Sequence, residues 1–242
     1  MAADGTYHNH TTWSDGSFTP EEIVDKAVSC GFSEVGITDH YFTLKGVANC
    51  VTDDRLDDYI EMIAELKAKY EGTIRVLGGI EIDTSAANPN RFDLPLEQLD
   101  RLDYVLFEYV DETRDYALSD LIRLRKRLST DVGLAHPDVT ALIEQYGAEP
   151  LAKVLAGNDI FLDACGSARD SRPTRYHRYG IDRAFTLNIE GLGEDFKEAA
   201  KRYGVRFAPS ADTHRDDSSD SLADTRNAID AIERYDLPEK EF

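Results

Sequence analysis

The sequence predicts an α/β fold, a parallel β/α barrel that is closed or nearly closed. Short apolar runs alternate along the chain with amphipathic stretches of helical period, which is typical of parallel β/α architecture. A chain of 242 residues suits one such barrel, because single barrel domains of about 250 residues are common. No internal repeat, low-complexity tract or linker-like stretch divides the sequence. We therefore expect a single domain over residues 1–242.

Seven apolar runs are the candidate strands. With helices between them, seven strands are enough for a barrel that closes or nearly closes. The runs lie at residues 5–10, 34–38, 73–82, 102–109, 132–136, 159–164 and 205–210.

The helix between the first two strands has the clearest boundaries. Thr19 is the expected N-cap, Pro20 takes the first helical position, and Glu22 completes a capping box. Gly31 is expected to end the helix. Further helices are predicted at residues 53–70, 115–129, 138–146, 149–156, 192–203 and 219–234.

The chain is strongly acidic, with 47 Asp and Glu residues against 27 Lys and Arg residues and a net charge of −20. Such a surface repels phosphate backbones, so extended nucleic-acid binding is not expected, although a local basic pocket could still accept a phosphate group. The hydrophobic content of 41% excludes wholesale disorder. The sequence leaves the oligomeric state open.

The sequence also predicts a cytoplasmic protein that does not associate with membranes. No apolar run approaches the roughly 18 residues needed to span a bilayer. The first histidine is residue 8, which leaves no room for a signal peptide before it. Cys30, Cys50 and Cys165 are odd in number and lack close pair spacing, which argues against a disulfide framework.

Five of the six histidines lie at the ends of strand-like runs beside acidic residues. His8 and His10 are two residues apart on the first run, so their side chains point to the same side of a strand. Barrel enzymes gather active-site residues at the carboxyl ends of their strands. The clustering therefore predicts a polynuclear metal site and a metal-dependent hydrolase. The other strand-end candidates are His40, Glu81, His136, Asp212 and His214.

These residues belong to motifs that closely resemble the polymerase and histidinol phosphatase (PHP) family of metal-dependent phosphoesterases. The motifs occur in the family's order and cover nearly the whole chain. The resemblance implies a distorted seven-stranded β/α barrel, a centre of two or three divalent metal ions and a small phosphorylated substrate. The motifs are His8-Asn9-His10-Thr11 with Ser14-Asp15-Gly16, Gly36-Ile37-Thr38-Asp39-His40, Gly79-Ile80-Glu81, Ala135-His136-Pro137 and Ser210-Ala211-Asp212-Thr213-His214.

The resemblance also implies a division of ligands among the metals. The implied first set is His8, His10, Glu81 and Asp212. A second ion would share Glu81 with the first and use His136, and the implied third set is Asp15, His40 and His214.

Imidazole and carboxylate ligands together suit Zn²⁺, Mn²⁺ or Fe²⁺. Such an ion lowers the pKa of its water to about 7 and so supplies a nucleophile.

One strand departs from the family pattern. Many members carry a histidine near the end of the fourth strand, where this sequence reads Glu108 after Phe107 and contains no histidine. A carboxylate in an apolar strand needs a partner to justify burial, and a metal would be one. Glu108 is therefore the candidate replacement ligand, although pairing with an arginine or an outward orientation would also explain it.

Other polar residues have two interpretations each. Asp15 could bind metal or cap a turn, and Asp39 could orient a ligand or simply bond the backbone. Asp163 and Cys165 end the sixth strand, and either could line the mouth. Two arginines, Arg169 and Arg215, are candidates to clamp phosphate oxygens, or they could pair with surface acids. The sixth histidine, His177, sits among arginines and is expected at the surface.

The predicted function is hydrolysis of a small phosphorylated compound, such as a sugar, amino-alcohol or nucleotide phosphate. Two alternatives remain open. An amidohydrolase-type barrel would also use an H-x-H pair, although no lysine lies on the fourth strand to serve as a carbamylated bridge. A catalytically silent metal-binding module would be consistent with the missing fourth-strand histidine.

Overall fold

Two parallel β-sheets form the centre of the protein in a computed structural model, which describes residues 4–43, 48, 50–111, 115–166, 188–215 and 221–242. One sheet has three strands in the order β1-β2-β4, and the other has six in the order β3-β5-β6-β7-β8-β9. Every strand pair is parallel. The strands are β1 Gly5–Thr6, β2 Glu34–Ile37, β3 His40–Tyr41, β4 Arg75–Gly78, β5 Glu81–Asp83, β6 Tyr104–Glu108, β7 Asp131–Leu134, β8 Ile160–Cys165 and β9 Phe207–Ser210.

Helices follow the strands along the chain, as the sequence predicts. The capping box is present on the first helix: the Glu22 amide donates to Thr19 Oγ1 at 3.3 Å and the Thr19 amide donates to Glu22 Oε2 at 2.8 Å. Gly31 follows the helix with a positive φ of 78°. The helices are α1 Pro20–Ser29, α2 Leu56–Lys69, α3 Leu96–Leu99, α4 Leu118–Arg125, α5 Val139–Tyr146, α6 Ala148–Gly157, α7 Glu194–Tyr203 and α8 Thr225–Arg234, with 3₁₀ turns at Asp53–Arg55, Ile189–Gly191 and Leu222–Asp224.

The described residues form nine strands where seven were expected, because two further breaks and strands occur near the second and third predicted runs. The run 34–38 contains β2 and is followed closely by the separate strand β3, and the run 73–82 becomes β4 and β5. The phenol of Tyr59 on α2 lies at both interruptions. It donates to the Gly79 carbonyl at 2.9 Å, lies 3.3 Å from the Ile37 carbonyl, and accepts from the Asp39 amide at 3.3 Å. The Tyr59 side chain therefore contacts the backbone between β2 and β3 and between β4 and β5.

The α/β class with parallel strands is confirmed, whereas a single closed seven-stranded sheet is not. The first strand is shorter than predicted, but the chain beyond it runs beside the last strand. The Tyr7 amide donates to the Pro209 carbonyl at 3.0 Å, and the His10 amide donates to the Thr213 carbonyl at 2.8 Å. The first and last strand regions are therefore neighbours.

The strands bury side chains on both faces. On β6, Val105 and Phe107 belong to the large core between the sheets and the helices, while Tyr104 and Leu106 belong to a second, smaller apolar cluster. Side chains alternate along a strand, so the second cluster lies on the opposite face. It consists of Tyr7, Leu77, Tyr104, Leu106, Ala135, Phe161 and Ala208, with Phe242 packed against it. We call this cluster the inner core.

Cys30, Cys50 and Cys165 form no disulfide bond with one another. Within the described ranges, no helix combines the length and apolar character needed to cross a bilayer.

Candidate metal centre

Alternation along the strands brings the polar residues to one place. On β6 the side of the strand that carries Tyr104 and Leu106 ends at Glu108, and on β8 the side that carries Phe161 continues to Asp163. Both acids are buried, at 1% relative exposure. Because these strands are parallel, their carboxyl ends meet at the same edge, beyond the inner core.

Glu81, the first residue of β5, lies at the centre of the site and is fully buried. Its Oε1 is 2.9 Å from His136 Nε2 and 3.4 Å from His8 Nε2. Its Oε2 is 2.8 Å from His40 Nδ1 and 3.5 Å from His10 Nε2. One carboxylate therefore faces four imidazoles, which the first, second and fifth predicted strands bring to it.

Asp212 completes one side of the site. Its Oδ1 lies 3.2 Å from His10 Nε2 and 3.6 Å from His8 Nε2. The two Nε2 atoms of His8 and His10 are themselves 3.0 Å apart. The residues that the sequence assigns to the first metal are thus brought together around one small space.

A second side of the site is formed by Asp15, His40 and His214. Asp15 Oδ1 lies 3.2 Å from His214 Nε2 and 3.5 Å from His40 Nε2. His10 also reaches this side, since its ring centroid is 4.1 Å from that of His214 and its Nδ1 is 3.9 Å from Asp15 Oδ1. His10 therefore stands between the two sides.

Glu108, the candidate ligand of the fourth predicted strand, also faces the site. Its Oε1 lies 3.7 Å from His40 Nδ1, and its Oε2 lies 3.8 Å from His136 Nε2. The side chain faces the other candidate ligands, so an outward orientation is wrong.

Donor atoms in this site form three overlapping groups, each with all its atoms within 4.8 Å of one another. The residue types fit divalent metals, because every donor is an imidazole nitrogen or a carboxylate oxygen. Both Glu81 oxygens are buried and accept no hydrogen bond of good geometry, as expected for atoms that bind a cation. The groups are His8, His10 and Glu81; His40, Glu81 and Glu108; and His10, Asp15, His40 and His214.

Two histidines of the site have raised pKa values. Burial lowers the pKa of His136, but the adjacent Glu81 carboxylate outweighs it and raises the pKa to about 9. Burial likewise opposes protonation of His8, but Glu81, Asp163 and Asp212 raise its pKa well above the usual value. The acids therefore favour positive charge on this side of the site, and a bound cation would supply it.

The other side of the site shows the opposite balance. Burial, followed by His214 and His40, holds the pKa of His10 well below its usual value. Burial raises the pKa of Asp15, but His214 and His40 outweigh it and lower the pKa of that carboxyl. A neutral imidazole and an ionised carboxyl are the forms that bind a metal.

Asp39 contacts the loop that carries Asp15. It accepts hydrogen bonds from the Thr11 amide at 2.8 Å, the Thr11 hydroxyl at 2.7 Å and the Ser14 hydroxyl at 2.6 Å. Ser14 Oγ in turn lies 3.5 Å from His10 Nδ1. Asp39 therefore bonds the backbone, as one of its two interpretations expects, and is also linked to the candidate ligand His10 through Ser14.

Of the two candidate arginines, Arg215 is exposed and directly follows His214. Arg169 lies outside the described residues, as does His177. Cys165 is buried at the end of β8.

Sequence reasoning missed how Asp163 is used. Its Oδ2 lies 2.8 Å from His8 Nδ1. The strand position alone could have indicated this contact, because Asp163 points to the same side of β8 as Phe161, toward the interior.

Solved structures with a similar fold include several phosphatases of low sequence identity. A histidinol phosphate phosphatase (HISK) of Lactococcus lactis, solved with zinc, L-histidinol and phosphate, matches with a TM-score of 0.63 and 17% identity over 98% of this chain and 95% of that chain. A putative histidinol phosphatase of Listeria monocytogenes matches with a TM-score of 0.57 and 14% identity over 87% and 95%. The metal-dependent tyrosine phosphatases YwqE of Bacillus subtilis and CpsB of Streptococcus pneumoniae match with a TM-score of 0.53 and 16% identity over 95% and 86%. At these low identities, the likenesses show that the folds are similar.

Among curated proteins, the DNA polymerase/3'-5' exonuclease PolX of Bacillus subtilis (strain 168) is 33% identical over 229 residues. The match covers 90% of this chain but only 35% of that protein, so this chain spans about a third of the length of its relative. The profile of the PHP domain matches residues 6–165, about two thirds of the chain, and includes most of the strand ends described above. The chain belongs to the PHP domain family.

Proposed function

We propose that this protein is a metal-dependent phosphoesterase that hydrolyses a small phosphorylated compound. The observation that carries the proposal is the convergence of five histidines and four carboxylates from separate segments of the chain on one site. Four of these histidines and three of these carboxylates supply the three groups of close donor atoms. Membership of the PHP family supports the same reaction class. The Lactococcus lactis relative was solved with zinc and phosphate, which is consistent with this reaction.

Two or three divalent ions, zinc, manganese or iron, would occupy the three groups. His8, His10, Glu81 and Asp212 would hold one ion, as the sequence motifs suggest. Glu108 changes the remaining assignment, because one of its oxygens approaches His40 and the other approaches His136. We assign it as a ligand that replaces the missing fourth-strand histidine.

We also propose that the strands close into one distorted barrel around the inner core. The Gly79 amide donates to the Ile37 carbonyl at 2.7 Å, and the Glu81 amide donates to the Asp39 carbonyl at 3.0 Å, so backbone hydrogen bonds continue across both interruptions. Together with the bonds between the first and last strand regions, these contacts would complete the ring.

Divalent ions supply a water of lowered pKa and neutralise charge on phosphoryl oxygens. The protein would provide the ligand atoms for these ions and hold them in position. Asp39 fixes the loop of Asp15 through Thr11 and Ser14. Burial of Glu81 and the imidazoles excludes water from the ligand atoms, which strengthens their interaction with a cation. Arg215, and Arg169 outside the described residues, are the proposed contacts for phosphate oxygens.

The substrate is proposed as a phosphate monoester or a nucleotide phosphate. The histidinol phosphatase and tyrosine phosphatase relatives point to monoesters, and the PolX relative points to a nucleotide 3' end. Because the chain carries a net charge of −20, a mononucleotide or short oligonucleotide suits it better than a long duplex.

The proposal is tested by substituting His10→Ala and Asp212→Ala, with His177→Ala as the matched control outside the motifs. Metal content is measured by elemental analysis, and phosphate release is measured on a panel of monoesters, nucleotides and short oligonucleotides. We expect both site variants to lose metal and at least about a thousandfold in activity, roughly 4 kcal/mol of transition-state stabilisation. Their circular dichroism spectra should match the wild type.

The alternatives predict other outcomes of the same experiment. Hydrolysis of C–N substrates with no phosphate release would favour an amidohydrolase. Full metal occupancy without turnover on any panel would favour a silent metal-binding module. Retention of all metal in both site variants would contradict the proposed ligand set.

A further inference from the structure

Asp163 is a buried acid that the ligand set leaves unused. It is the only charged residue of β8, whose sequence is Ile-Phe-Leu-Asp-Ala-Cys, and it is 1% exposed. A carboxylate taken out of water without partners is costly, so its position in an apolar strand requires compensating contacts. Those contacts identify what the residue does.

The first contact is with the ring of His8. Asp163 Oδ2 lies 2.8 Å from His8 Nδ1. A carboxylate oxygen can only accept, so His8 Nδ1–H is the donor. The other ring nitrogen, Nε2, points at Glu81 Oε1 at 3.4 Å and Asp212 Oδ1 at 3.6 Å. The hydrogen bond therefore leaves the nitrogen that faces the candidate ligands available to bind a cation.

The second contact is with the backbone of His136, another candidate ligand. The same Oδ2 atom lies 3.3 Å from the amide nitrogen of His136, which follows β7 with a positive φ of 26°. This backbone conformation is uncommon for a residue with a side chain and needs support from its surroundings. The rings of His8 and His136 stack at 5.8 Å, so one carboxylate contacts the ring of one histidine and the backbone of its stacked neighbour.

We propose that Asp163 is a positioning residue of the metal centre, which fixes the ring orientation of His8 and the backbone of His136 without binding the metal. Partners of this kind keep a metal-binding histidine in the correct tautomer, and their loss typically lowers metal affinity 10- to 100-fold. The proposal rests on the metal centre of the proposed function and is independent of the substrate.

The test compares Asp163→Ala and Asp163→Asn with wild type, using zinc as the probe. Zinc affinity is measured by competition with a chromophoric chelator. The alanine variant should bind zinc roughly 10- to 100-fold more weakly. The asparagine variant, whose side-chain oxygen can still accept from both donors, should fall between the two. It also provides the measurement if the alanine variant does not fold.

A nitrogen–proton correlation spectrum of the zinc-loaded protein gives a readout that a merely structural role would not change. Wild type should show a hydrogen-bonded proton on His8 Nδ1, and Asp163→Ala should lose it. Glu34→Gln is the matched control, because Glu34 is also a buried acid but accepts from Tyr7 Oη at 2.8 Å and from Arg75 at 2.9 Å, away from the ligands. That variant should keep both the zinc affinity and the Nδ1 proton.

Unchanged zinc affinity in Asp163→Ala, or an equal loss in Glu34→Gln, would overturn the positioning role. A wild type that binds zinc but hydrolyses no phosphate ester would overturn the proposed function instead, and the role of Asp163 would stand.

Discussion

The two ends of the parallel strands follow the same alternating pattern but carry opposite chemistry. Toward the amino ends, the interior face of the strands is apolar and forms the inner core, with Tyr104 and Phe161 each in contact with the ring of Phe242. Toward the carboxyl ends, the same face carries Glu108 and Asp163. The change occurs within two residues on β8, from Phe161 to Asp163.

This contrast indicates that the amino ends of the strands mainly stabilise the fold, whereas their carboxyl ends mainly carry the candidate ligands. At the amino end, buried polar groups have direct partners, since Tyr7 donates to Glu34 at 2.8 Å and Arg75 pairs with the same acid at 2.9 Å. At the carboxyl end, acids and imidazoles crowd one another at 2.8–3.9 Å, and both Glu81 oxygens accept no hydrogen bond of good geometry. Such a cluster is stabilised best by a cation.

The largest expected effect comes from removing the ring of Phe161 from the inner core. Phe161 is 1% exposed, and its ring lies 5.4 Å from that of Phe242 and 6.2 Å from that of Tyr104. Phe161→Ala should lower the free energy of unfolding by about 3–5 kcal/mol, as buried aromatic truncations do. Denaturant unfolding of the metal-free protein measures the loss.

The same variant tests whether the two ends are independent. Phe161 is only two residues from Asp163, which makes this a strict test. If the two ends are independent, the folded fraction of Phe161→Ala should still bind zinc with wild-type affinity. A drop in affinity as large as that of Asp163→Ala would show that the inner core shapes the site directly.

Much of this division could be predicted from the sequence. The motif order places His8, His40 and His136 at strand ends, and parallel strands bring such ends together whatever the details of the loops. The capping box at Thr19 was also predictable, because its hydrogen bonds are local to one turn of helix.

Contacts between distant elements could not be predicted. Nothing in the spacing of α2 indicates that the phenol of Tyr59 reaches the Ile37 and Gly79 carbonyls. The contact of Asp163 with His8 joins side chains from two strand regions that are 155 residues apart in sequence. Both features arise from packing of whole elements, which a linear pattern does not specify.

An intermediate effect is expected at Glu108, where this chain departs from the family pattern. Glu108→Gln keeps the size of the side chain but removes its charge, and it should lower zinc affinity roughly 10- to 100-fold, comparable with the loss of a ligand-orienting group. Glu108→His restores the residue common in the family and should bind zinc more tightly than the glutamine variant, because imidazole is a zinc ligand.

Elemental analysis would show which ion is affected. A fall in bound metal by about one equivalent in Glu108→Gln, with recovery in Glu108→His, would sharpen the contrast between the two ends. Equal metal content in wild type and both variants would assign Glu108 to charge balance alone.

The smallest effect is expected at Glu239. This residue is near the C-terminus of the chain and lies beside the amino ends of the strands. Residue 239 forms a bridge with Phe207, the first residue of β9. Burial, with added repulsion from Glu233 and Asp4, raises the pKa of Glu239 to about 7. The folded protein therefore holds this proton more tightly than the unfolded chain, whose glutamate pKa is about 4.3. Stability is lost as pH rises from the unfolded to the folded pKa.

Glu239→Gln should remove that pH-dependent loss. Its free energy of unfolding should equal that of wild type near pH 4 and exceed it by on the order of 1 kcal/mol at pH 8, a figure reduced for the solvent screening of a half-buried group. Glu61→Gln, at an exposed position on α2, controls for the general effect of one fewer negative charge in an acidic protein. Since Glu239 lies at the end opposite the ligands, zinc affinity should be unchanged in both variants. Equal gains in the two variants would trace the effect to net charge, and a change in zinc affinity in Glu239→Gln alone would break the separation between the two ends.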